Sequence, residues 1–520
     1  MSLRDELDEL LDDTCFFGMD IGTSCSYIAY KEGNSAPKIP NYQGSCRGGI
    51  PSLAWRDRDG NEWFCDQVAD KQGLLEDPAG VWASGKMKLG DRQVILNGHA
   101  YTPRHLMVRE VQRVLQVTEE ALDLEMIDMD PKEWVVGIPA RFNASEKGEM
   151  KSILEEATGG RKIRLVPEPI LAAIANDFYT KKTGRKPRRV LVLDMGGGTL
   201  DVVMLIPNEN PTLDEPNPYI ALHPDGLRMA GDSMDVIMEN LILDKLRQDP
   251  GGIRMDILED VNHYDRRRLR LTARETKERL SSVDSSAVNV IGMECGNALV
   301  HVTRAEYEDR IRPMMQEAVD LAAMVLEKCQ LEPQPDIDIL LVGGATYTPL
   351  LRTLLEEKFP WMDSRNIMQR FPEKAVALGA AIYAQTPQVV QPKVAYGYAV
   401  NTYIEKGQRE VLRVIIPSGA NLPMTDIANF VTLDENQRAV RFDVYEVYDT
   451  VGKPHMEKDT GRITPYSITH RFAHPVPKGT PVKLSTTLTE DGVLTADVED
   501  FQTEKRTTSK CFTMHNTLSD

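Results

Sequence analysis

Two kinds of hydrophobic pattern divide the chain. Up to Ala384, short apolar runs alternate with amphipathic stretches of helical period, which predicts an α/β region. Beyond residue 395 only short alternating runs occur, for example at 411–416 and 494–498, and prolines separate them, which predicts an antiparallel β-sandwich. The predicted organisation is an acidic N-terminal tail (1–15), an α/β domain (16–386), a linker (387–395), a β-sandwich domain (396–510) and a short tail (511–520).

A glycine-rich turn between two apolar runs is the most informative stretch. The strand predicted at Val190–Leu193 leads into Asp194, three glycines (196–198), Thr199 and Asp201, and a second apolar run follows. Glycines allow the backbone to approach a ligand closely, so that successive N–H groups can bind phosphate oxygens. The carboxylates on either side suit Mg²⁺ and its waters. Taken alone, the stretch is equally typical of an ordinary glycine-rich hairpin.

The same arrangement occurs near the N-terminus. An apolar run from Phe16 ends at Asp20, the turn contains Gly22, Thr23 and Ser24, and another apolar run follows. The two hairpins lie about 175 residues apart, a spacing of whole-lobe size. This repetition predicts a duplicated fold with a nucleotide between the two halves, and chance is the alternative explanation.

A third glycine turn lies later in the α/β region. Residues 343–344 follow the apolar run 339–342 and precede a helix predicted from Pro349. A strand, a glycine turn and a helix start together favour a loop that approaches a phosphate or a nucleoside.

Composition and charge narrow the classes of function. The chain has 520 residues, 41% of them hydrophobic and 27% charged, which is typical of a soluble protein with several domains. The net charge of −18 argues against a dedicated nucleic-acid or anionic-membrane binder. Seven dispersed cysteines without a C-x-x-C pair favour a reducing compartment. With an acidic N-terminus and no apolar run of membrane-spanning length, the sequence predicts a cytoplasmic protein.

Several single residues have two interpretations. Lys86 is either a solvated surface charge or a residue of the site. Glu168, between two prolines where a strand meets a helix, either positions a water or metal or is an ordinary turn residue. The charged helix predicted at 266–280, which includes Lys277, has either a solvated face or a nucleotide contact. Thr102 and Ser145 are each predicted to cap a helix, and Thr303 with Glu306 is predicted to form a capping box.

Six ordered motifs and the β region resemble the 70-kilodalton heat-shock chaperones of the DnaK type. The resemblance extends from about Phe16 to about Asp500. The motifs of the α/β region are Gly18–Thr23, Val136–Asn143, Val166–Pro169, Leu193–Asp201, Leu341–Thr346 and Ala375–Ala381. Those of the β region are Leu422-Pro423, Glu435–Val440, Pro477–Gly479 and Asp491–Leu494.

The resemblance implies an α/β, actin-like ATPase fold of two duplicated lobes, followed by the all-β sandwich. Lobe I would comprise about 16–186 with a closing helix at 373–386, and lobe II about 187–372. It also implies a chaperone that hydrolyses ATP to ADP with Mg²⁺, with K⁺ as a further candidate ion. The implied partners are unfolded or extended polypeptide clients, J-domain co-chaperones and nucleotide-exchange factors, whereas nucleic acids and membranes are not expected.

The resemblance also implies roles for individual residues. Asp20 and Asp194 would hold Mg²⁺ through water, and Lys86 would stabilise the γ-phosphate or place the nucleophile. Glu168 would support the waters of the metal, and Thr199 and Asp201 would contact the γ-phosphate. The residues implied to bind the nucleotide are Gly22, Thr23, Ser24, Gly196, Gly197, Gly198, Thr199, Gly231, Lys277, Ser281, Gly343, Gly344 and Tyr347. The residues implied to line a groove for an apolar peptide are Phe430, Leu433, Val440 and Phe442.

The chain departs from the pattern of these chaperones at several positions. Arg274, Tyr347 and Ala230 stand where the family has a glutamate, an arginine and a glycine near the nucleotide. The linker lacks the acid-flanked leucine run of the family, and we expect a divergent member without the helical lid. Two alternatives stay open: a small-molecule kinase on the same fold, and a nucleotide-sensing adaptor that does not turn over ATP.

Overall fold

The protein is described from a computed structural model. It covers residues 15–42, 49–69, 80–83, 85–89, 92–142, 144–181, 188–207, 219–261, 263–292, 294–329, 337–385, 397–404, 409–418, 420, 423–447, 454–458, 461–489, 493–502 and 506–510. The chain divides into two compact units. The first unit includes residues 15–141, 153–207 and 221–385, and the second includes residues 142–152 and the strands from Gly397 onwards.

The secondary structure up to Gln385 alternates between strands and helices, as the hydrophobic pattern predicts. The strands are β1 (Cys15–Asp20), β2 (Cys25–Glu32), β3 (Ile50–Pro51), β4 (Leu53–Arg56), β5 (Glu62–Phe64), β6 (Val81–Ala83), β7 (Val94–Leu96), β8 (His99–Tyr101), β9 (Glu133–Ile138), β10 (Lys162–Pro167), β11 (Arg189–Met195), β12 (Leu200–Pro207), β13 (Tyr219–Leu227), β14 (Ser285–Ile291), β15 (Asn297–Thr303), β16 (Ile337–Val342) and β17 (Ile367–Met368). The helices are α1 (Asp66–Ala69), α2 (Pro103–Leu124), α3 (Ala144–Ala157), α4 (Glu168–Lys181), α5 (Gly231–Gln248), α6 (Met255–Leu258), α7 (Tyr264–Leu280), α8 (Arg304–Lys328), α9 (Pro349–Lys358) and α10 (Ala375–Gln385). Short 3₁₀ turns occur at Gly85–Lys88, Gly344–Tyr347 and Ser364–Asn366.

The first unit contains two five-stranded sheets that share one strand arrangement, beside three smaller sheets. Their orders are β10-β9-β1-β2-β3 and β17-β16-β11-β12-β13. In the first sheet β1 pairs antiparallel with β2 and parallel with β9. In the second, β11 pairs antiparallel with β12 and parallel with β16. The two hairpins therefore have the same strand neighbours in their sheets, which agrees with the predicted duplication.

The strands next to the glycine turns are buried on both faces. Leu191, Val192 and Leu193 in β11 are fully buried, and all six residues of β16 are buried. The apolar core of the second sheet also includes residues from α5, α7, α8 and α9. This burial explains why these strands lack polar alternation, and it holds the turns that follow them in place.

Helix α4 lies between the two sheets. It contacts β9 and β10 of the first sheet and β11, β12 and β16 of the second. Helix α10 packs on α4 and on the first sheet so closely that a Cβ atom on Gly379 would lie 1.9 Å from the Leu171 carbonyl oxygen. Helix α10 lies within the range 373–386 that the resemblance implies for a closing helix.

Local signals at helix starts were reliable in two cases and wrong in one. Thr102 caps α2 by accepting from His105 N at 3.1 Å, as predicted. Thr303 and Glu306 form the predicted capping box of α8. Ser145 is not a cap, because α3 begins at Ala144 and Ser145 lies inside its first turn.

The second unit contains two β-sheets. Its strands are β18 (Gly397–Ile404), β19 (Arg409–Ile416), β20 (Met424–Val431), β21 (Gln437–Val447), β22 (His455–Met456), β23 (Gly461–Val476), β24 (Pro481–Leu488), β25 (Leu494–Asp500) and β26 (Arg506–Lys510). They form sheets of order β22-β19-β18-β21-β23 and β20-β24-β25-β26, and one apolar core takes residues from both. Buried residues alternate along β24 and β25, as expected for a sandwich.

Some predictions fall outside the described residues. These are the N-terminal tail up to residue 14, the linker at 387–395, the Asp491-Gly492 turn and the tail at 511–520. Among the described helices, none combines the length and the apolar character needed to cross a membrane.

Candidate functional site

The turns of the two glycine hairpins meet in the first unit. A Cβ atom on Gly197 would lie 2.2 Å from Ser24 Oγ, so the two turns approach closely at this glycine. The second turn is also tied to the start of α5, because Gly196 O accepts from Gly231 N at 3.0 Å and Gly197 O accepts from Asp232 N at 2.7 Å. Two glycine turns and the positive end of a helix dipole therefore face one region.

The third glycine turn packs against the second. Gly343 has a φ of 82°, and a Cβ atom there would lie 2.3 Å from Met195 O. Its N–H donates to Pro372 O at 2.9 Å. Gly344 follows at the start of a 3₁₀ turn that ends at Tyr347, whose side chain is exposed. The structure thus brings together the three turns that were singled out separately in the sequence.

Four charged side chains form the centre of the site. Asp20 ends β1, Asp194 lies at the end of β11, and Glu168 is the first residue of α4. Lys86 comes from the 3₁₀ turn Gly85–Lys88, and its Nζ lies 2.6 Å from Glu168 Oε1. The side chains of Lys86 and Glu168 are 5% and 11% exposed, so Lys86 is not a solvated surface charge.

Burial and mutual repulsion perturb these carboxyl groups. Burial, together with the charge of Glu168, raises the pKa of Asp20 to about 7, and Lys86 opposes that shift. Burial and the charges of Glu168, Asp201 and Asp20 raise the pKa of Asp194 well above its usual range. Burial opposes the charged form of Lys86, but the carboxylates of Glu168 and Asp20 outweigh it and raise its pKa. A group of acids with one buried lysine is a site that favours an additional cation.

Asp201 has a partner that sequence reasoning did not identify. Arg141, which follows β9, donates from Nε to Asp201 Oδ1 at 2.8 Å and from Nη1 to Gly226 O at 2.9 Å. Asp201 itself pairs with Asp194 across β11 and β12. The sequence indicated Arg141 only by its position. It follows β9, which is the neighbour of β1, and β1 ends with Asp20 at the same edge of the sheet.

The charged helix α7 is not simply a solvated face. Lys277 Nζ lies 2.5 Å from Asp235 Oδ1 and donates to Gly231 O at 3.1 Å, at the start of α5. Arg270 Nε donates to Glu239 at 2.7 Å, and Glu239 is fully buried. The prediction of a solvated face is therefore wrong for Lys277, because acidic residues of α5 pair with this side of α7.

Other implied nucleotide residues lie at the ends of the same elements. Ser281 follows α7, and its hydroxyl donates to Lys277 O at 3.5 Å. Arg274, one turn before Lys277 in α7, has its Nε 3.4 Å from Glu278 Oε1. Ala230, at the cap position of α5, is buried and makes no side-chain capping bond.

The residues implied to line a peptide groove lie in the second unit. The rings of Phe430 and Phe442 are 4.8 Å apart. Phe442 belongs to the sandwich core and is 5% exposed, whereas Phe430 and Val440 are partly buried against that core. Leu433 follows β20, and its N–H donates to Gln437 Oε1 at 3.0 Å. The structure thus brings Phe430 and Phe442 into contact.

The comparison with known families covers most of the chain. The family model described as Hsp70 protein matches residues 81–520. The chain belongs to the Hsp70 family. Among its relatives is the chaperone protein DnaK of Thermoplasma volcanium, which is 26% identical over 499 residues, covering 94% of this chain and 76% of that protein. The chaperone protein DnaK of Halobacterium salinarum is 27% identical over 496 residues, covering 93% of this chain and 72% of that protein.

The match to the Hsp70 family includes most of the site. Residues 81–520 contain Lys86, Glu168, Asp194 and the third glycine turn, but not Asp20 and the first turn. The alignments with the DnaK proteins extend over 94% and 93% of the chain. The structural pairing of the two hairpin turns links the first turn to the part that the Hsp70 model matches.

Proposed function

We propose that the protein binds ATP with Mg²⁺ beside the β1–β2 and β11–β12 turns and hydrolyses it. The observation that carries this proposal is the meeting of both turns at Gly197 and Ser24, next to buried acids and Lys86. In this interpretation the two sheets are the lobes of an actin-like ATPase, with lobe I at about 16–186 and 373–386 and lobe II at about 187–372. ATP and ADP are the nucleotides implied by the family.

The donor groups fit a hydrated magnesium ion. Burial and like charges raise the pKa of Asp20 and of Asp194, so a divalent cation would relieve repulsion that Lys86 alone does not remove. Among the described residues, no three His, Cys, Asp or Glu side chains converge closely enough to bind a metal directly. This agrees with an ion held through its waters by Asp20 and Asp194, as Mg²⁺ often is in phosphate sites.

The protein side chains would contribute positioning and electrostatic stabilisation. Bound Mg²⁺ supplies charge neutralisation on the phosphates during phosphoryl transfer. Glu168 holds the Lys86 ammonium in place at 2.6 Å, so that this fixed charge can stabilise the γ-phosphate or orient the attacking water. The N–H groups of residues 197–198 and 22–24 would bind phosphate oxygens, whereas the Gly196 N–H donates to Thr199 O at 3.1 Å and shapes the turn. Thr199 and Asp201 would face the γ-phosphate.

The nucleoside would lie between the third glycine turn and α7. Gly343 and Gly344 allow close approach of the backbone, and Tyr347 offers an exposed ring on which a base can stack. Lys277 on α7 and Ser281, which follows α7, would line one side of the nucleoside. Arg274 in the same helix replaces the family's glutamate, so we expect the ribose contacts to differ from those of the relatives.

We also propose a chaperone role for the second unit. The chain is similar to proteins named chaperone protein DnaK, and its sandwich would bind extended apolar peptides of unfolded proteins. Phe430, Leu433 and Val440 are partly accessible and would contact the peptide, whereas the buried Phe442 would support Phe430 from below. J-domain proteins and nucleotide-exchange factors are the partners that this role implies, and the dispersed cysteines support a reducing, cytoplasmic location.

The test is ATP turnover by the full chain. Phosphate release is measured with Mg²⁺ for the wild type and for Asp194→Asn, with and without an unfolded apolar peptide. We expect turnover that Asp194→Asn reduces at least 100-fold, in line with the loss of a transition-state charge contact, and stimulation by the peptide.

Other outcomes identify the alternatives. ATP binding without turnover above the Asp194→Asn control would contradict hydrolysis and favour the nucleotide-sensing adaptor. Transfer of phosphate to a panel of sugars would favour the small-molecule kinase. Turnover without peptide binding would leave the ATPase standing and contradict the chaperone role.

A further inference from the structure

A residue with a strained backbone lies between β17 and α10. Phe371 has a φ of 51°, in the left-handed region that glycine and asparagine tolerate and that an aromatic residue rarely adopts. It also precedes Pro372, and a residue before proline favours an extended backbone. Such a conformation persists only where the surrounding contacts impose it, and it often occurs next to a ligand site. The contacts around Phe371 therefore indicate what the strain maintains.

The Phe371 ring packs on helix α4. Its centroid lies 5.3 Å from that of Tyr179, with an angle of 59° between the two rings. Tyr179 is in the last turn of α4 and has two further contacts. The Arg370 guanidinium lies 5.8 Å from its ring centroid, and its hydroxyl donates to Pro37 O at 3.5 Å. An aromatic pair of this kind is attractive beyond the apolar area that it buries, so the stack can hold a backbone that Phe371 alone would disfavour.

The segment that contains Phe371 supports the third glycine turn. Pro372 O accepts from the Gly343 N–H at 2.9 Å, and Gln369 Nε2 donates to Thr346 O at 2.7 Å. The Thr346 hydroxyl in turn donates to Gly343 O at 2.7 Å. The turn is thus bonded to residues on both sides of Phe371.

The conformation of Phe371 decides whether the bond to Gly343 can form. The Phe371 carbonyl oxygen accepts from the N–H groups of Lys374 and Ala375, each at 2.8 Å, so the chain after it is fixed at the start of α10. If Phe371 relaxed to the extended backbone that a residue before proline favours, the peptide of Pro372 would turn away from its position. The Gly343 N–H would then lose its partner, and the glycine turn would lose the support of one hydrogen bond.

The second glycine turn is held by other bonds. Gly196 O accepts from Gly231 N, and Gly197 O accepts from Asp232 N, both at the start of α5. A loss of support at Gly343 leaves these bonds in place. Its effect should therefore appear on the nucleoside side of the site.

We propose that Phe371 is a positioning residue for the nucleoside side of the site: the stack on Tyr179 holds its left-handed backbone, which directs Pro372 O to the Gly343 N–H and so fixes the third glycine turn. The inference rests on the proposed nucleotide function. Phe371 acts through Pro372 and the turn. Its signature is an effect on the affinity for ADP that leaves the affinity for a phosphate chain alone unchanged.

The first test is isothermal titration calorimetry of the full chain with ADP and, separately, with inorganic tripolyphosphate, both with Mg²⁺. Phe371→Ala removes the ring but keeps a side chain that disfavours positive φ, so ADP affinity should fall about fivefold to tenfold, the worth of an aromatic pair. Phe371→Gly also lacks the ring but adopts this backbone without strain, and it should bind ADP within about threefold of the wild type. Phe371→Tyr keeps the ring and should match the wild type. Tripolyphosphate affinity should agree within about twofold in all four proteins.

The order of the two small variants separates positioning from simple packing. If the ring only filled space, Phe371→Gly would be as weak as Phe371→Ala or weaker, because glycine adds backbone freedom. Equal losses, or a tripolyphosphate affinity that falls in parallel with that for ADP, would overturn the proposal. Met126 is the matched control: its φ is 60° and its side chain is 94% exposed, so Met126→Ala and Met126→Gly should bind ADP as the wild type does.

A second measurement needs no nucleotide. Amide hydrogen exchange at Gly343 should be about fivefold to tenfold faster in Phe371→Ala than in the wild type, and close to the wild type in Phe371→Gly. Equal exchange in the wild type and Phe371→Ala would overturn the proposal. If the wild type binds neither ADP nor tripolyphosphate, the proposed nucleotide function is contradicted, and the exchange rates alone then decide whether Phe371 holds the turn.

Discussion

The ion pair between Lys86 and Glu168 should be strongly coupled to the stability of the first unit. The perturbation is a double-mutant cycle of Lys86→Met and Glu168→Gln, studied without nucleotide. Each single variant leaves one buried group without its partner. Lys86→Met places Glu168 among other acids, and Glu168→Gln removes the carboxylate nearest to the ammonium. The double variant removes both charges at once.

The structure allows the magnitude to be worked out. Two unit charges 2.6 Å apart attract by about 6 kcal/mol at an effective dielectric constant of about 20. Desolvation of two side chains that are 5% and 11% exposed cancels part of this attraction. We expect each single variant to lose about 3–5 kcal/mol of unfolding free energy, and the double variant to lose about 2–4 kcal/mol less than the sum of the two.

The assay is urea unfolding at pH 8, followed by tryptophan fluorescence. All five tryptophans, at 55, 63, 82, 134 and 361, precede residue 386, so the signal reports on the first unit alone. The control cycle uses Lys38 and Glu32, which are 3.1 Å apart but 55% and 45% exposed and should couple by less than about 0.5 kcal/mol. If the effects of the two single variants at Lys86 and Glu168 add, so that their coupling energy is no larger than that of the exposed pair, the buried ion pair is refuted.

Three other predictions test separate parts of the structure. Gly343→Ala should destabilise the first unit by about 2 kcal/mol more than Gly160→Ala in tryptophan-monitored urea unfolding. Both glycines have positive φ, but only at Gly343 would the added Cβ atom clash with backbone atoms. Equal losses of stability would contradict this. The pKa of Asp20 is raised from 3.8 to about 7, so the unfolded chain releases a proton that the folded chain keeps, and stability falls as pH rises through this window. Asp20→Asn should therefore stabilise the nucleotide-free protein by about 2–4 kcal/mol at pH 8, less at pH 5, and a gain independent of pH would argue against it. Asp500→Ala should lower the stability of this region by about 1–3 kcal/mol, because buried His470 loses its hydrogen-bond partner at 2.7 Å. Amide exchange in β23 and β25 should become faster, and Asp500→Asn should have the smaller effect.

The sequence predicted those parts of the fold that depend on short-range patterns. The apolar runs around Asp194 and Asp20 and the turns between them require only neighbouring residues, and both hairpins are present with the expected strand order. The cap at Thr102 is also local, since its partner is three residues away. Such features follow from backbone geometry and burial, which determine the residue types at adjacent positions.

Contacts between distant elements could not be predicted in the same way. Arg141 and Asp201 pair over 60 positions, and Lys277 and Asp235 join two helices whose relative placement no local pattern specifies. Glu110 occupies a position on the inner side of α2, where a charged residue contradicts the apolar stripe. Its burial depends on the packing of α2 against the strands, so the sequence pattern alone would predict an exposed side chain.

The placement of α4 has a mechanical consequence. This helix contacts both sheets, has 14 residues and begins at Glu168, so it is a rigid rod about 21 Å long with the site at one end. A turn of one sheet against the other by about 5°, with the far end of the rod as pivot, displaces its first residue by about 2 Å. That displacement is comparable to the whole 2.6 Å separation of Lys86 and Glu168. A small change in the angle between the sheets therefore changes the distance from Glu168 to Asp194 and to the glycine turn that the second sheet carries.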